Sequence, residues 1–180
     1  MYLISVYFDE KTSKKLNHLI QSVAEETGNT FMLDHKVPPH MTIGAFETRH
    51  VDDVARRFED IGNIYKDLSV DTSIQFVSTA VMFPYVIYVA PVLNEYLQHL
   101  SEATRDFIKT IDDAIVSKYY GPYHWMPHVT IGKTLDEEQM RKAFDTMQRK
   151  FVSFEGEIVR IGIAKTNPHK DLAEVLLKNE

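Results

Sequence analysis

The sequence predicts an α+β fold, bilobal and pseudo-twofold, in which a duplicated unit lines a central cleft with antiparallel sheets and carries its helices outside. Three observations carry this. Pro39-His40-Met41-Thr42-Ile43-Gly44 recurs as Pro127-His128-Val129-Thr130-Ile131-Gly132, identical at five of six positions. Stretches of period-two alternation are interleaved with segments of helical period, the mark of sheets and helices sharing one core. After each hexapeptide the order repeats: motif strand, helix, strands. Residues 1–180 therefore read as one domain of two interleaved lobes, with the first motif at 40–42 and the second at 128–130. With 8 His in 180 residues, a single His-x-Thr triplet would carry little weight, but a duplicated hexapeptide carries much more.

Taken in order, Tyr2 to Phe8 is a run of β-formers and predicts a strand. Asp9 stands where a helix N-cap belongs, ahead of Leu16, Leu19, Ile20 and Val23 at helical spacing, and Thr27-Gly28-Asn29 ends that helix. Thr30 to Leu33 is expected as a short strand. The loop from Asp34 to Pro39 follows, its two prolines excluding helix and delivering His40 to the start of the first motif strand. Val51, Val54, Phe58 and Ile61 recur at helical spacing within 51–65, opposite a charged face. Strands are expected over 69–82 and 85–90, turned by Phe83-Pro84, with Ile74, Phe76, Val86 and Tyr88 facing inward. Leu93, Leu97, Leu100, Phe107, Ile111 and Ile115 mark the longest helix, over 94–117. An aromatic-rich loop, 118–127, leads into the second motif as the proline loop leads into the first. A last helix spans 136–149 with Met140, Phe144 and Met147 inward, and strands follow around 151–166 and 174–177.

Composition bounds the function classes. A chain with 44% hydrophobic and 26% charged residues is ordinary for a folded globular domain. The absence of Cys removes disulfides, thiolate nucleophiles and Cys-ligated zinc. The stretch Met1 to Phe8 has no basic leader and reads as a strand rather than a signal peptide, and no apolar run approaches a membrane span, so the expectation is a cytoplasmic monomer with no membrane partner. A net charge of −6 argues against a broad basic footprint on nucleic acid. Nucleic acid is then expected to be met at an end, where a few hydrogen bonds hold one terminal phosphate. Local positive residues such as Lys36, Lys133 or Lys165 could add to that hold, and the sequence does not place them.

Inside each hexapeptide, His, Thr and Gly alternate with apolar residues, so a strand places His and Thr on one face while Ile43 and Ile131 anchor the other. Two such strands facing each other offer two imidazoles and two hydroxyls. One imidazole can take a proton from an attacking hydroxyl or water while the other protonates the leaving oxygen, and the hydroxyls can bond the non-bridging oxygens. Imidazole is the side chain whose ordinary pKa permits both roles near neutrality. The set suits a phosphodiester.

Two His-x-Thr-x motifs, His40 with Thr42 and His128 with Thr130, one in each half of a chain this long, resemble the two-histidine phosphoesterase superfamily, in particular its 2′-5′ RNA ligase and cyclic phosphodiesterase branch. The resemblance implies metal-independent chemistry without a cofactor on 2′,3′-cyclic phosphate or 2′-5′ phosphodiester bonds, with an RNA terminus, an oligonucleotide or a cyclic nucleotide as partner. It implies His40 and His128 as the catalytic pair and Thr42 and Thr130 as phosphate ligands. It also implies that the same site can run toward ligation, and it favours His128 as base and His40 as acid.

Blander readings stand beside these. A lone His on a strand is more often structural, and two in matched settings reverse that expectation. Gly44 and Gly132 are expected where the strand bends or another backbone approaches. Tyr123 and Trp125, beside the second motif, are expected either to stack on a base or to fill space between the lobes, and Tyr119, Tyr120 and His124 share their loop. Phe46 is expected in the core and His35 on an exposed loop. A metal site is a poorly supported rival, because Thr is a weak ligand and Cys is absent. The rival from another class is a non-catalytic nucleotide or RNA-end binding module, which would retain binding without turnover.

Overall fold

Asp9 is where the chain first turns from strand to helix, its carboxylate accepting the Thr12 N–H at 3.1 Å as the N-cap of the first long helix. That helix stops at Gly28, which takes φ +71° and donates its N–H to the Ala24 carbonyl, a left-handed cap that glycine adopts at low cost. In the computed structural model, which describes residues 1–50, 54–58, 62, 65, 72–166 and 170–177, the elements run as follows. They are β1 (Tyr2–Phe8), α1 (Glu10–Thr27), α2 (Phe31–Asp34), β2 (His40–Glu47), β3 (Ser73–Met82), β4 (Val86–Pro91), α3 (Glu95–Lys109), β5 (Ile115–Val116), β6 (Val129–Gly132), α4 (Glu137–Lys150), β7 (Phe154–Lys165) and β8 (Lys170–Leu176). Residues 54–58 are helical, whereas Val51, Ile61 and the 69–71 start of the expected strand lie outside the described residues. The α+β class is as expected, and among the described residues every strand pairing is antiparallel.

The strands form one sheet in the order β5-β2-β1-β7-β3-β4-β6, with β8 also paired to β7. The 12-residue β7 holds it together: its later part pairs with β1 and β8, and its first four residues pair with β3. Ile4 and Val6 on β1 lie in register with Ile163 and Ile161 on β7, and these join Met41 and the helix residues Leu16, Leu19, Ile20, Val23, Leu97, Leu100 and Ile108 in one buried cluster. Burying each such side chain contributes about 1.5–3 kcal/mol, which sets that sheet face against the helices. Ser5, Tyr7, Arg160 and Gly162 alternate with these residues and belong to the opposite face.

Several expected details differ. Residues 30–33 do not extend: Thr30 Oγ1 donates to Asp34 and the Leu33 and Asp34 N–H groups return to the Thr30 carbonyl, so local turn chemistry makes α2 a single helical turn. The helix expected over 94–117, α3, ends at Lys109, and with 15 residues it is shorter than the 18-residue α1 rather than the longest. Beyond it Asp113 takes φ +56°, its carboxylate receiving the Thr48 hydroxyl at 2.6 Å, and Ile115 pairs with Glu47 as β5, 70% exposed. Leu93, expected on that helix stripe, precedes the helix and is exposed. Phe144 faces outward from α4 at 40% exposure. On β4, Ile87 and Val89 are the fully buried pair, Tyr88 is buried on the other face, and Val86 is half-buried.

Candidate functional site

Pro39 and Pro127 are buried, and each hands the chain to a half-buried histidine. His40 opens β2 in register with Tyr7 on β1, and Thr42 lies opposite Ser5 on the same strand, so His40, Thr42, Ser5 and Tyr7 occupy the sheet face away from the helices. Thr130 on β6 lies opposite Tyr88 on β4, with His128 just ahead of the strand. The two motif strands are far apart in sheet order, yet the sheet curls enough to bring β2 and β6 within 8 Å, Cα to Cα. Trp125, three residues before His128, links the two motifs directly by donating its indole N–H to the Thr42 carbonyl at 3.0 Å.

The alternation seen in the sequence holds for His and Thr but not for the glycines. In both motifs the pairing register slips at the isoleucine. Ile4 is opposite Gly44 and Ser5 opposite Thr42, while Ile87 is opposite Gly132 and Tyr88 opposite Thr130. The slip is a β-bulge that turns each glycine to the helix side. A Cβ on Gly44 would stand 2.6 Å from Thr104 Cγ2 on α3, and one on Gly132 would stand 3.0 Å from Ile87 Cγ2. The pairing slips beside each glycine, and what approaches the glycines is side chain rather than another backbone.

Each histidine is fixed the same way. His40 Nδ1 lies 2.9 Å from the Pro38 carbonyl, and His128 Nδ1 lies 2.9 Å from the Met126 carbonyl. A carbonyl only accepts, so Nδ1 carries the proton in both rings and, in the neutral form, the lone pair falls on Nε2. Each ring also has a tyrosine from the neighbouring strand beside it: Tyr7 with centroids 6.1 Å from His40, Tyr88 with centroids 5.3 Å from His128 and edge-on. Burial holds His128 below the ordinary imidazole pKa, opposed in part by its bond to the Met126 carbonyl. The Ser5 and Thr42 hydroxyls are 3.2 Å apart.

A cleft of about 550 Å³ opens beside His128, lined among others by Phe83, Tyr119, Tyr120, Trp125 and Met126. Tyr123, expected here, is fully exposed at φ +62° and fills no space between elements. Trp125 is half-buried, packs against the core and lines the cleft. Tyr120, from the same loop, is half-buried in that cleft, and its phenol pKa is raised by burial. Phe46 is core and His35 is exposed, its ring stacked on Phe31 at 4.1 Å. Lys133 lies over the Phe31 ring at 5.9 Å. A larger groove of about 880 Å³ on the other side of the β3–β4 hairpin tip is lined by Phe83, Tyr85, Met140 and Phe144 and holds none of the motif residues.

Sequence reasoning missed Tyr7, Tyr88 and Ser5 as neighbours of the motifs. Their signal was present, since Ser5 and Tyr7 alternate with Ile4, Val6 and Phe8 along β1, but only the register assigns them to the motif face. His124 and His128 stand four apart and line the same cleft, but they sit on a loop rather than a helix. Among the described residues no group of three His, Asp or Glu side chains is arranged to hold a metal ion, and no helix is long and apolar enough to cross a membrane. Comparison with protein-family models and with curated proteins returns no match.

Proposed function

We propose that this chain is a two-histidine phosphoesterase, resembling the 2′-5′ RNA ligase and cyclic phosphodiesterase branch, that acts on 2′,3′-cyclic phosphate or 2′-5′ phosphodiester bonds at RNA ends or in nucleotides. The observation that carries the proposal is the matched pair of imidazoles. Two His-x-Thr strands lie close together, and each His donates Nδ1–H to the carbonyl two residues before it. A ring held that way presents Nε2 as its proton-transfer atom. The duplicated hexapeptide supports a pseudo-twofold relation between the halves.

In hydrolysis of a 2′,3′-cyclic phosphate, water forms the new P–O bond and gives its proton to His128 Nε2. The bond to one ribose oxygen breaks, and that oxygen takes a proton from Nε2 of the His40 imidazolium. The Thr42 and Thr130 hydroxyls donate to the non-bridging oxygens as charge builds there. Burial favours neutral His128, which supports its assignment as base. With a 5′-hydroxyl in place of water as the nucleophile, the same proton transfers join that hydroxyl to the cyclic end: it forms the new P–O bond and gives its proton to His128, and the released ribose oxygen takes one from His40. The aromatic cleft beside His128 supports a nucleobase at that end, with Trp125 in its lining as the stacking surface, while Tyr123 stands fully exposed on the same loop outside that lining.

The test is product analysis on 2′,3′-cyclic nucleotides, cyclic-ended RNA and 2′-5′-linked oligomers, run in parallel with excess chelator present. Turnover of at least one, lost in both His40→Ala and His128→Ala, is the expected outcome. Binding of these compounds without turnover of any would select a nucleotide or RNA-end binding module instead.

A further inference from the structure

The ring beside His128 does more than fill the sheet. Tyr88 sits on β4 between Ala80 of β3 and Thr130 of β6, 6% exposed, on the face that carries Thr130 rather than the helices. Its ring meets His128 edge-on, with centroids 5.3 Å apart and planes at 64°. Its hydroxyl donates to Met126 Sδ at 3.6 Å, and the carbonyl of that same Met126 accepts Nδ1–H of His128 at 2.9 Å. One side chain therefore touches both the imidazole and the residue that fixes its tautomer. The bond to sulfur is weak, but it closes a loop of three contacts in a half-buried place where the ring has few other positions to adopt. On the other motif strand a tyrosine again comes from the adjacent strand. Tyr7, 8% exposed, lies opposite His40 with the Arg160 guanidinium 4.5 Å from its ring centroid.

We infer that Tyr88 is a positioning residue for His128, holding the imidazole edge-on and the Met126 carbonyl in place so that Nδ1 keeps its proton and Nε2 faces the cleft. The inference rests on the reading of His128 as a proton-transfer group. A tyrosine that was only core packing would contribute stability and leave the imidazole tautomer unchanged.

The experiment uses the full chain labelled with nitrogen-15 histidine, at a pH where His128 is neutral. Its signals are assigned by their loss in His128→Gln. Wild type is expected to show His128 with the proton on Nδ1. Tyr88→Leu removes ring and hydroxyl together and is expected to give a mixture of tautomers, with kcat on adenosine 2′,3′-cyclic phosphate lowered about 10-fold and KM nearly unchanged, the scale of loss that follows when a catalytic group is misplaced. Tyr88→Phe keeps the packing and loses only the hydroxyl, so it is expected to fall between, and it decides the matter should the leucine variant not fold. A His128 that stays entirely on the Nδ1–H tautomer at wild-type kcat in the folded variants overturns the inference, as does a wild-type His128 protonated on Nε2. If wild type leaves the cyclic nucleotide intact, the enzymatic reading fails by itself, and the tautomer of His128 still decides the role of Tyr88.

Discussion

The two motif strands carry nearly the same hexapeptide in unlike surroundings. β2 is eight residues long and lies inside the sheet, with β1 on one side and β5 on the other, and its Thr42 lies within hydrogen-bonding distance of Ser5. β6 is four residues long and ends the sheet order beside β4, and His128 just ahead of it is desolvated enough to lower its pKa. What is shared is short-range: the buried proline, the Nδ1 bond to the carbonyl two residues back, the bulge at isoleucine. What differs is supplied by neighbours distant in sequence. Near-identical motifs thus give both rings the same Nδ1 bond, while neighbours distant in sequence make the two imidazoles differ, with Tyr88 edge-on to His128 and burial lowering the pKa of that ring.

The largest expected effect comes from removing either ring. His40→Ala and His128→Ala should each lower kcat by about 10²–10⁴-fold on whichever phosphodiester is turned over, and the double variant should lose little more than the worse single one. Additive losses, measured by steady-state kinetics on folded protein, would show the two rings acting separately.

Next is the difference in crowding at the two bulges. Gly44→Ala drives a Cβ to 2.6 Å from Thr104, and we expect it to destabilise by about 1–3 kcal/mol in chemical denaturation. Gly132→Ala meets Ile87 at 3.0 Å and should cost less. Equal costs would mean that the interior strand is no more tightly held than the edge strand.

Smaller again are the hydroxyls. Thr130→Ala should reduce kcat by about 10-fold, the value of one hydrogen bond to a charged group. Thr42→Ala should cost less, because Ser5 Oγ lies 3.2 Å from the lost hydroxyl and can donate in its place, and Ser5→Ala combined with Thr42→Ala should then restore the full loss. The smallest effect is on stability at Tyr123, where full exposure predicts a change within about 0.5 kcal/mol for Tyr123→Ala. Any activity that variant loses would then be contact with substrate, whereas Trp125→Ala should lower stability as well because its indole bonds the Thr42 backbone.

How much of this was legible in the sequence follows from range. The cap at Asp9, the amphipathic stripes and the strand character of both hexapeptides are local, and the sequence shows them. The end of α3 was hidden because Ile111 and Ile115 continue the helical period while the chain is turned by Asp113 bonding Thr48, 65 residues away. Thr30 to Leu33 read as strand because its apolar residues outweighed the Thr30 hydroxyl and Asn29 side chain that close the turn. Both bulges escaped notice because strict alternation is the simplest reading of a six-residue strand. Tyr7, Ser5 and Tyr88 join the motifs only through register, which single-strand patterns do not contain.

The most direct test of the central claim, that two imidazoles of opposite protonation share one reaction, is the pH dependence of kcat/KM on a 2′,3′-cyclic nucleotide. His128 must be neutral to accept a proton. Because burial lowers its pKa, the rising limb should lie below the ordinary imidazole value of about 6.5. The rate should fall again at higher pH as the second imidazole loses the proton it donates, giving a bell. A bell whose rising limb falls below that value is the predicted result. A profile with one limb, or none, would contradict the pairing of His40 with His128.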